Sequence, residues 1–388
     1  MNRLAFLLIL GLMLSPGCTP PKKGAGARGS ARYYLDYFRT LEEIENTFSA
    51  LELSPPSLAN DSMKVSASYL NPGTFCANRI PVISLSSAFT ATYIEQQEDG
   101  TEKEKSIVKD EVLFLSGLHM DEATPPEVMM NFLELLIDEY YNNALFRKDL
   151  EYLIIHIVPV VNVDTKRFMD QLATDILDAQ VPLTKSQLTL SPLSLQQFRK
   201  NMRFKNRCKS TEELIANHGV DLNRNFDAGW AQLSSIDQAT QVTTETELKY
   251  KGGAAASEPE VIAIQKFIKA HKSLKLLVDL HDKLGPEVAL NATATKQAEF
   301  LSIATKKKFY SLAQNKDLSP RVKNSTKSPV YGTVERYADE QKIPYVVGIE
   351  IGVQALPNNT DYVVTNSERL SLSFLSMTKF IARQHNQR

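Results

Sequence analysis

His119 and Glu122 stand three residues apart in Ser116-Gly117-Leu118-His119-Met120-Asp121-Glu122, directly after the apolar run Val112 to Leu115. An imidazole and a carboxylate at that spacing, on the end of a strand, supply two of the three ligands that a catalytic zinc takes while keeping one position for water. His281, at the end of the distant apolar run Leu274 to Leu280, could complete the set. Taken singly, each has an ordinary reading. A strand-end histidine is more often hydrogen-bonded into the fold, and Glu122 could be a carboxylate favoured at a helix N-terminus.

Two further groups could do chemistry. Glu350 lies inside Val346-Val347-Gly348-Ile349-Glu350-Ile351, where burying a carboxylate without a partner or a role is costly, so a functional carboxylate or a structural ion pair is expected. Gly219-Val220-Asp221-Leu222-Asn223-Arg224-Asn225-Phe226-Asp227 sets an amide donor beside a guanidinium. That pair can clasp a carboxylate by charge-assisted hydrogen bonds, or it can close a polar turn with an internal salt bridge.

These residues need a scaffold, and the hydrophobic pattern describes one. Strand-like runs fall at Val65 to Leu70, Ile80 to Leu85, Val112 to Leu115, Leu153 to Val161, Leu274 to Leu280 and Tyr345 to Ile351. Helical patterns lie at Thr40 to Phe48, with Thr40 as N-cap, and at Pro126 to Tyr141, Glu258 to Lys272, Ala298 to Ala313 and Arg369 to Arg383. Near-continuous apolar strands alternating with amphipathic helices predict an α/β fold, one domain with a mixed, mostly parallel central sheet covered by helices on both faces. In such sheets ligands bind outside the carboxyl ends of the strands, where His119, Asn162, His281 and Glu350 all fall. The polar stretch from about Thr165 to Gln197 breaks the rhythm and reads as an inserted loop or a short helical excursion.

The chain has 388 residues, 43% of them hydrophobic, with 44 basic against 45 acidic side chains. That balance leaves no basic field for nucleic acid. Asn2-Arg3 followed by the apolar run Leu4 to Leu14 reads as an export signal over residues 1–17. Leu14-Ser15-Pro16-Gly17-Cys18 resembles a bacterial lipoprotein processing site, although Leu14 stands one place further from Cys18 than usual. Cys18 would then carry a lipid anchor to the membrane, residues 18–32 would form a flexible tether, and the folded body would occupy 33–388 in the cell envelope, facing the periplasm or the cell surface. Cys76 and Cys208 could pair or remain as buried thiols.

The ordered set His119-x-x-Glu122, Pro159 to Asp164, Gly219 to Phe226, Val278-Asp279-Leu280-His281 and Gly332-Thr333-Val334-Glu335-Arg336-Tyr337, followed by Ile349-Glu350, resembles the zinc metallocarboxypeptidases of the carboxypeptidase A type. The resemblance covers roughly Tyr33 to Gln384. It implies that His119, Glu122 and His281 hold one Zn²⁺ per chain, that Glu350 is general base on the zinc-bound water, and that Asn223 and Arg224 anchor the terminal carboxylate of a peptide substrate. Val334 would lie at the base of the side-chain pocket and favour apolar or small termini.

Two positions depart from the family pattern. Its oxyanion-stabilising Arg stands in an Arg-Lys-Asn-Arg-like segment, and reading that segment as Met202-Arg203-Phe204-Lys205-Asn206-Arg207 puts Phe204 in its place. Arg203 or Arg207 must then substitute, with Arg207 preferred. The family's mobile Tyr falls in Lys327-Ser328-Pro329-Val330, leaving Tyr331 as the nearest replacement. Two alternatives stay open beside the carboxypeptidase: a murein peptide amidase acting on cell-wall peptides, and a lipid-anchored binding protein with a decayed site.

Overall fold

The computed structural model describes residues 27–97, 101–178, 198–203, 219–235, 243–244, 247–282, 287–291, 309–311, 316–318, 321–324, 331–351 and 360–385. The export segment, Cys18, Phe204, Arg207, Cys208 and Lys327 to Val330 lie outside these residues. Among the described residues the strands are β1 (Ser57–Leu58), β2 (Asp61–Leu70), β3 (Ile80–Ser87), β4 (Thr92–Gln96), β5 (Glu102–Ser106), β6 (Asp110–Ser116), β7 (Leu153–Val158), β8 (Leu274–His281), β9 (Glu287–Asn291), β10 (Phe309–Ser311), β11 (Lys316–Leu318), β12 (Arg321–Asn324) and β13 (Tyr345–Glu350). The α-helices are α1 (Ala27–Tyr37), α2 (Leu41–Leu53), α3 (Thr124–Asn142), α4 (Ala144–Asp149), α5 (Val163–Leu177), α6 (Pro259–Ala270), α7 (Val334–Glu340) and α8 (Thr360–His385).

Nine strands form one mixed sheet in the order β1-β2-β3-β7-β6-β8-β13-β9-β12. Its middle four strands, β7, β6, β8 and β13, are parallel; β2 and β3 run antiparallel to their neighbours, and β9 is antiparallel to β13 but parallel to β12. Burial on both faces explains why Val112 to Leu115 is apolar without alternation. Phe114 faces α3 and α8, packing 4.7 Å from Phe132 and 5.1 Å from Phe374 between ring centroids. Its neighbour Leu113 points the other way and is paired in register with His156 of β7, which meets Phe267 of α6 edge-on at 5.1 Å.

Parallel pairing also decides where the chemistry gathers. β6 and β8 end together, Ser116 opposite Leu280, and β13 places Glu350 directly beside His281. Residues in register on adjacent strands share a face, so Glu350 and His281 project to the same side of the same sheet end.

The N-terminal helices follow their sequence signals. Thr40 caps α2 by accepting from the Glu43 N–H, while the Glu43 carboxylate accepts from the Thr40 N–H at 2.7 Å, and Leu41, Ile44, Phe48 and Leu51 are buried. Helix α1 begins at Ala27, inside the stretch expected to be a tether.

The polar stretch expected to be an inserted loop or a short helical excursion begins inside Val163–Leu177, a regular helix, whereas 179–197 lie outside the described residues. A buried polar cluster ties this helix to the body. Asp170 of α5 accepts from Tyr34 Oη and from the Leu41 N–H, both at 2.8 Å, and pairs with Lys166. Asp164 in the first turn accepts from Thr74, Asn78 and the Cys76 N–H, tying the β2–β3 loop to α5. Cys76 is disulfide-bonded to a partner outside the described residues. The expected helix Ala298 to Ala313 is not what its last residues form, since Phe309–Ser311 is a strand paired with Lys316–Leu318.

Breaking a buried pair strands the remaining charge, and Lys166 is almost wholly enclosed. Asp170→Ala should therefore lower unfolding stability by about 3 kcal/mol, read as a shifted urea midpoint with unchanged slope. The apolar double variant Lys166→Met/Asp170→Leu should recover most of that loss.

Candidate metal centre

The turn after β6 is fixed by backbone geometry. Gly117 has φ +67°, and a Cβ there would lie 2.9 Å from Val160 Cα and 3.1 Å from Pro159 O. Only glycine permits that approach without strain. Ser116 Oγ donates to Pro159 O at 2.6 Å, and the Asn162 N–H donates to Gly117 O at 2.8 Å, so Pro159 to Asn162 brace the turn that carries His119.

His119, Glu122 and His281 are all buried, and their ligand atoms lie within 4.8 Å of one another. Both imidazoles present the same nitrogen. His119 Nδ1 is 3.1 Å from Glu122 Oε1, and His281 Nδ1 is 3.0 Å from Glu122 Oε2. The opposite nitrogens face carboxylates, His119 Nε2 at 2.8 Å from Asp221 Oδ1 and His281 Nε2 at 2.8 Å from Asp279 Oδ2. Such outer carboxylates fix the tautomer of a metal-binding imidazole and raise its basicity. Two nitrogens and a carboxylate aimed at one point form a donor set that fits a divalent zinc.

Electrostatics agree with that fit. Burial and Arg199 pull the His119 pKa down, but Asp221 and Glu122 outweigh them and hold it above its ordinary value. For His281, burial is overcome by Asp279 and Glu122, which carry its pKa well above the usual range. Burial would raise the Glu122 pKa, and the two imidazoles lower it instead. Glu122, Asp221 and Asp279 outnumber Arg199, and the raised imidazole pKa values show that this negative excess favours positive charge at the two rings, which a divalent cation would supply in place of their protons.

The guanidinium at the cluster is Arg199, a residue that the sequence reading passed over. Its Nε donates to Asp221 Oδ2 at 3.0 Å, and its Nη1 donates to Glu122 Oε1 at 3.4 Å. Burial opposes its charge, and Asp221, Asp121 and Glu122 more than restore it. Arg203, one of the two expected candidates, instead donates to Glu258 Oε1 at 3.1 Å at the start of α6. Arg207 lies outside the described residues. A second register carries the same pattern: Phe198-Arg199-Lys200-Asn201-Met202-Arg203 contains Arg-Lys-Asn directly after the polar segment.

The Arg199 strip is clamped from below. Asn201 and Val220 exchange hydrogen bonds, and Gly219, at φ +100°, would put a Cβ 2.0 Å from Asn201 O. Asn201 Nδ2 donates to Glu258 at 2.8 Å and to Glu260 at 3.2 Å.

Asp221 also starts the 3₁₀ turn Leu222–Arg224, where its Oδ1 accepts from the Asn223 N–H at 3.0 Å. The Asn223 side chain turns inward, with Nδ2 3.0 Å from His281 Nε2 and Oδ1 accepting from the Val334 N–H at 2.9 Å. Arg224 is half-buried and donates Nη1 to Asn223 O at 2.5 Å. Val334 is fully buried in the core at the start of α7. Gly332, at φ +72°, lets that start close on the turn, since a Cβ would meet Arg224 O at 2.4 Å. Tyr331 packs on Gly229, where a Cβ would lie 2.2 Å from its ring.

Glu335 was another residue that the sequence reading left unused. Its Oε1 lies over Gly348, and it groups with Asp279 and His281 within 4.8 Å. Burial first, then Asp279, pushes its carboxyl up to about 7. An Asp two residues before a strand-end His, as in Asp279-Leu280-His281, necessarily shares its face, and that signal could have identified Asp279.

A family model described as zinc carboxypeptidase matches residues 90–357, more than half of the chain. The chain belongs to the zinc carboxypeptidase family. It is 28% identical over 174 residues to carboxypeptidase B of Bos taurus, an alignment covering 45% of this chain and 33% of that protein. With carboxypeptidase O of Bos taurus the identity is 26% over 156 residues, covering 40% of this chain and 32% of the relative. The chain thus spans about a third of the length of these curated relatives. Carboxypeptidase A from Helicoverpa armigera superposes with a TM-score of 0.59 at 16% identity, covering 89% of this chain and 74% of that one. Bovine thrombin-activatable fibrinolysis inhibitor, solved in complex with tick carboxypeptidase inhibitor, gives 0.57 at 16% identity, covering 91% and 99%. These two structures establish the shared fold.

The clamp beneath Arg199 has a measurable signature in Glu260. Burial raises its carboxyl from 4.5 to about 8, against a backbone hydrogen bond and with help from Asp164 and Glu258. A raised folded pKa makes the protonated form the stabilising one, so its contribution is full below 4.5 and is lost as pH rises to about 8. Glu260→Gln should remove that decline. Relative to wild type it should gain on the order of a few kcal/mol between the two pH limits, measured by thermal unfolding across the range.

Proposed function

We propose that this chain is a zinc-dependent carboxypeptidase that releases the C-terminal residue of peptides with a free terminal carboxylate. One observation carries the reading: His119 Nδ1, His281 Nδ1 and Glu122 converge while Asp221 and Asp279 hold the two opposite ring nitrogens. These three residues would hold one Zn²⁺, which when bound would polarise the scissile carbonyl and bring the pKa of water towards ~7.

The remaining steps belong to the protein's own side chains. Glu350, beside His281 on β13, takes the proton from the attacking water and returns it to the leaving amine. Arg199 faces the donor cluster with its guanidinium and stabilises the developing oxyanion. Arg224 pairs with the terminal carboxylate, and Asn223, which donates to Asp279 and accepts from the Val334 N–H, sets the turn that presents it. Tyr331, packed on Gly229 just before α7, lines the approach to that turn. The export-like N-terminus and Cys18 support a lipid-anchored location in the cell envelope, with envelope peptides as the substrates within reach.

A C-terminally free peptide and its amidated counterpart, assayed side by side with bound zinc measured in the same samples, test this reading. Wild type should cleave only the free peptide, and Glu350→Gln should keep zinc while losing turnover. Arg199→Ala should lower kcat by about 10²–10³, with Arg203→Ala close to wild type. Equal cleavage of the amidated peptide would remove Arg224 as the carboxylate anchor. An active Glu350→Gln would remove the general base.

A further inference from the structure

At the other end of the sheet, roughly 16 Å of strand away from the turn that carries His119, three donors meet that the cleft does not use. Glu111 lies at the start of β6, His156 on β7, and His271 directly after α6. Their ligand atoms lie within 4.8 Å of one another. Glu111 Oε2 is the hub, 2.6 Å from His271 Nδ1 and 3.5 Å from His156 Nε2.

Each ring is held in place from outside the cluster. Ser84 Oγ, paired in register with His156 across β3 and β7, lies 2.8 Å from His156 Nδ1 and so fixes that ring with Nε2 inward. His156 is only 3% exposed, yet its Nε2 makes no hydrogen bond of good geometry. Phe267 stacks on His271 at 4.0 Å and also meets His156 edge-on at 5.1 Å, setting the two imidazoles 4.7 Å apart. The His271 side chain is 30% exposed, which leaves an approach from solvent.

A buried imidazole nitrogen whose contact to a carboxylate is as long as 3.5 Å is poorly satisfied, and a carboxylate oxygen shared by two imidazoles is a donor arrangement that suits a metal ion. The His156–Ser84 contact has the form of the outer hydrogen bond that orients a ligating histidine. We propose that Glu111, His156 and His271 form a second divalent-cation site, of the kind that binds Zn²⁺, separate from the cleft and structural in role. It would pin the starts of β6 and β8 and the end of α6 to β7, with water as the fourth ligand on the His271 side.

The test is the zinc content of the full chain after equilibration in a zinc buffer at submicromolar free Zn²⁺, for wild type, His271→Gln, Glu111→Gln and His281→Ala. Wild type should hold two ions per chain, each single variant one, and His271→Gln/His281→Ala none. His271→Gln should also lower the thermal midpoint of the zinc-loaded protein and leave peptide hydrolysis unchanged. Glu111→Gln gives a second reading of the same site if His271→Gln folds poorly. A wild-type content of one ion that persists in both His271→Gln and Glu111→Gln overturns the proposal. One ion lost in those variants but kept in His281→Ala would uphold it and instead count against the cleft as a zinc site.

Discussion

Two buried imidazoles can aim the same nitrogen at one point only if their other nitrogens are held, and here Asp221 and Asp279 hold them. Much of the cleft follows from that constraint. Asp221 contacts His119, Arg199 and the Asn223 N–H at once, so the metal ligand, the guanidinium and the 3₁₀ turn are set by a single carboxyl group. Asp279 repeats the arrangement for His281, and Asn223 links the two halves, its backbone N–H on Asp221 and its Nδ2 beside Asp279 and His281. Moving either aspartate would disturb several functions together, because buried ionic networks couple their members.

Concentrating these charges is unfavourable in itself, since removal of each from water opposes folding. The surrounding structure offsets this by leaving little freedom. Gly117, Gly219 and Gly332 let backbones approach where a side chain would collide, and their positive φ values occur at turns that carry site residues or brace them. The parallel register of β6, β8 and β13 then brings His119, His281 and Glu350 from distant parts of the chain to one sheet end. A rigid sheet with short, braced turns is the scaffold on which a site can be held to the tolerance that catalysis needs.

Much of this was legible in the sequence, for physical reasons. His119, Glu122, His281 and Glu350 could be found because each follows or ends an unmistakable apolar run, and strand ends are where such folds bind ligands. Thr40 and Glu43 announce a helix start through a local spacing that needs no tertiary information. Arg199 was missed because the polar segment before it erased the register, and a pattern shifted by a few residues still offers plausible arginines in Arg203 and Arg207. The orienting roles of Asp221 and Asp279 and the inward turn of Asn223 depend on contacts between residues far apart in the chain. The buried cluster of Tyr34, Lys166 and Asp170, which ties helix α5 to the body in a segment that reads as an inserted loop or a short helical excursion, was hidden for the same reason.

The central claim is that a cation sits among His119 Nδ1, His281 Nδ1 and Glu122, oriented by the two aspartates. Anomalous diffraction at the zinc absorption edge, from crystals of the zinc-loaded protein, tests it most directly. The account predicts a peak about 2.0–2.1 Å from both Nδ1 atoms and about 2.0–2.2 Å from a Glu122 oxygen, with both Nε2 contacts to aspartate retained. A fully loaded crystal with no peak there, or with zinc bound through an Nε2 atom, would contradict it.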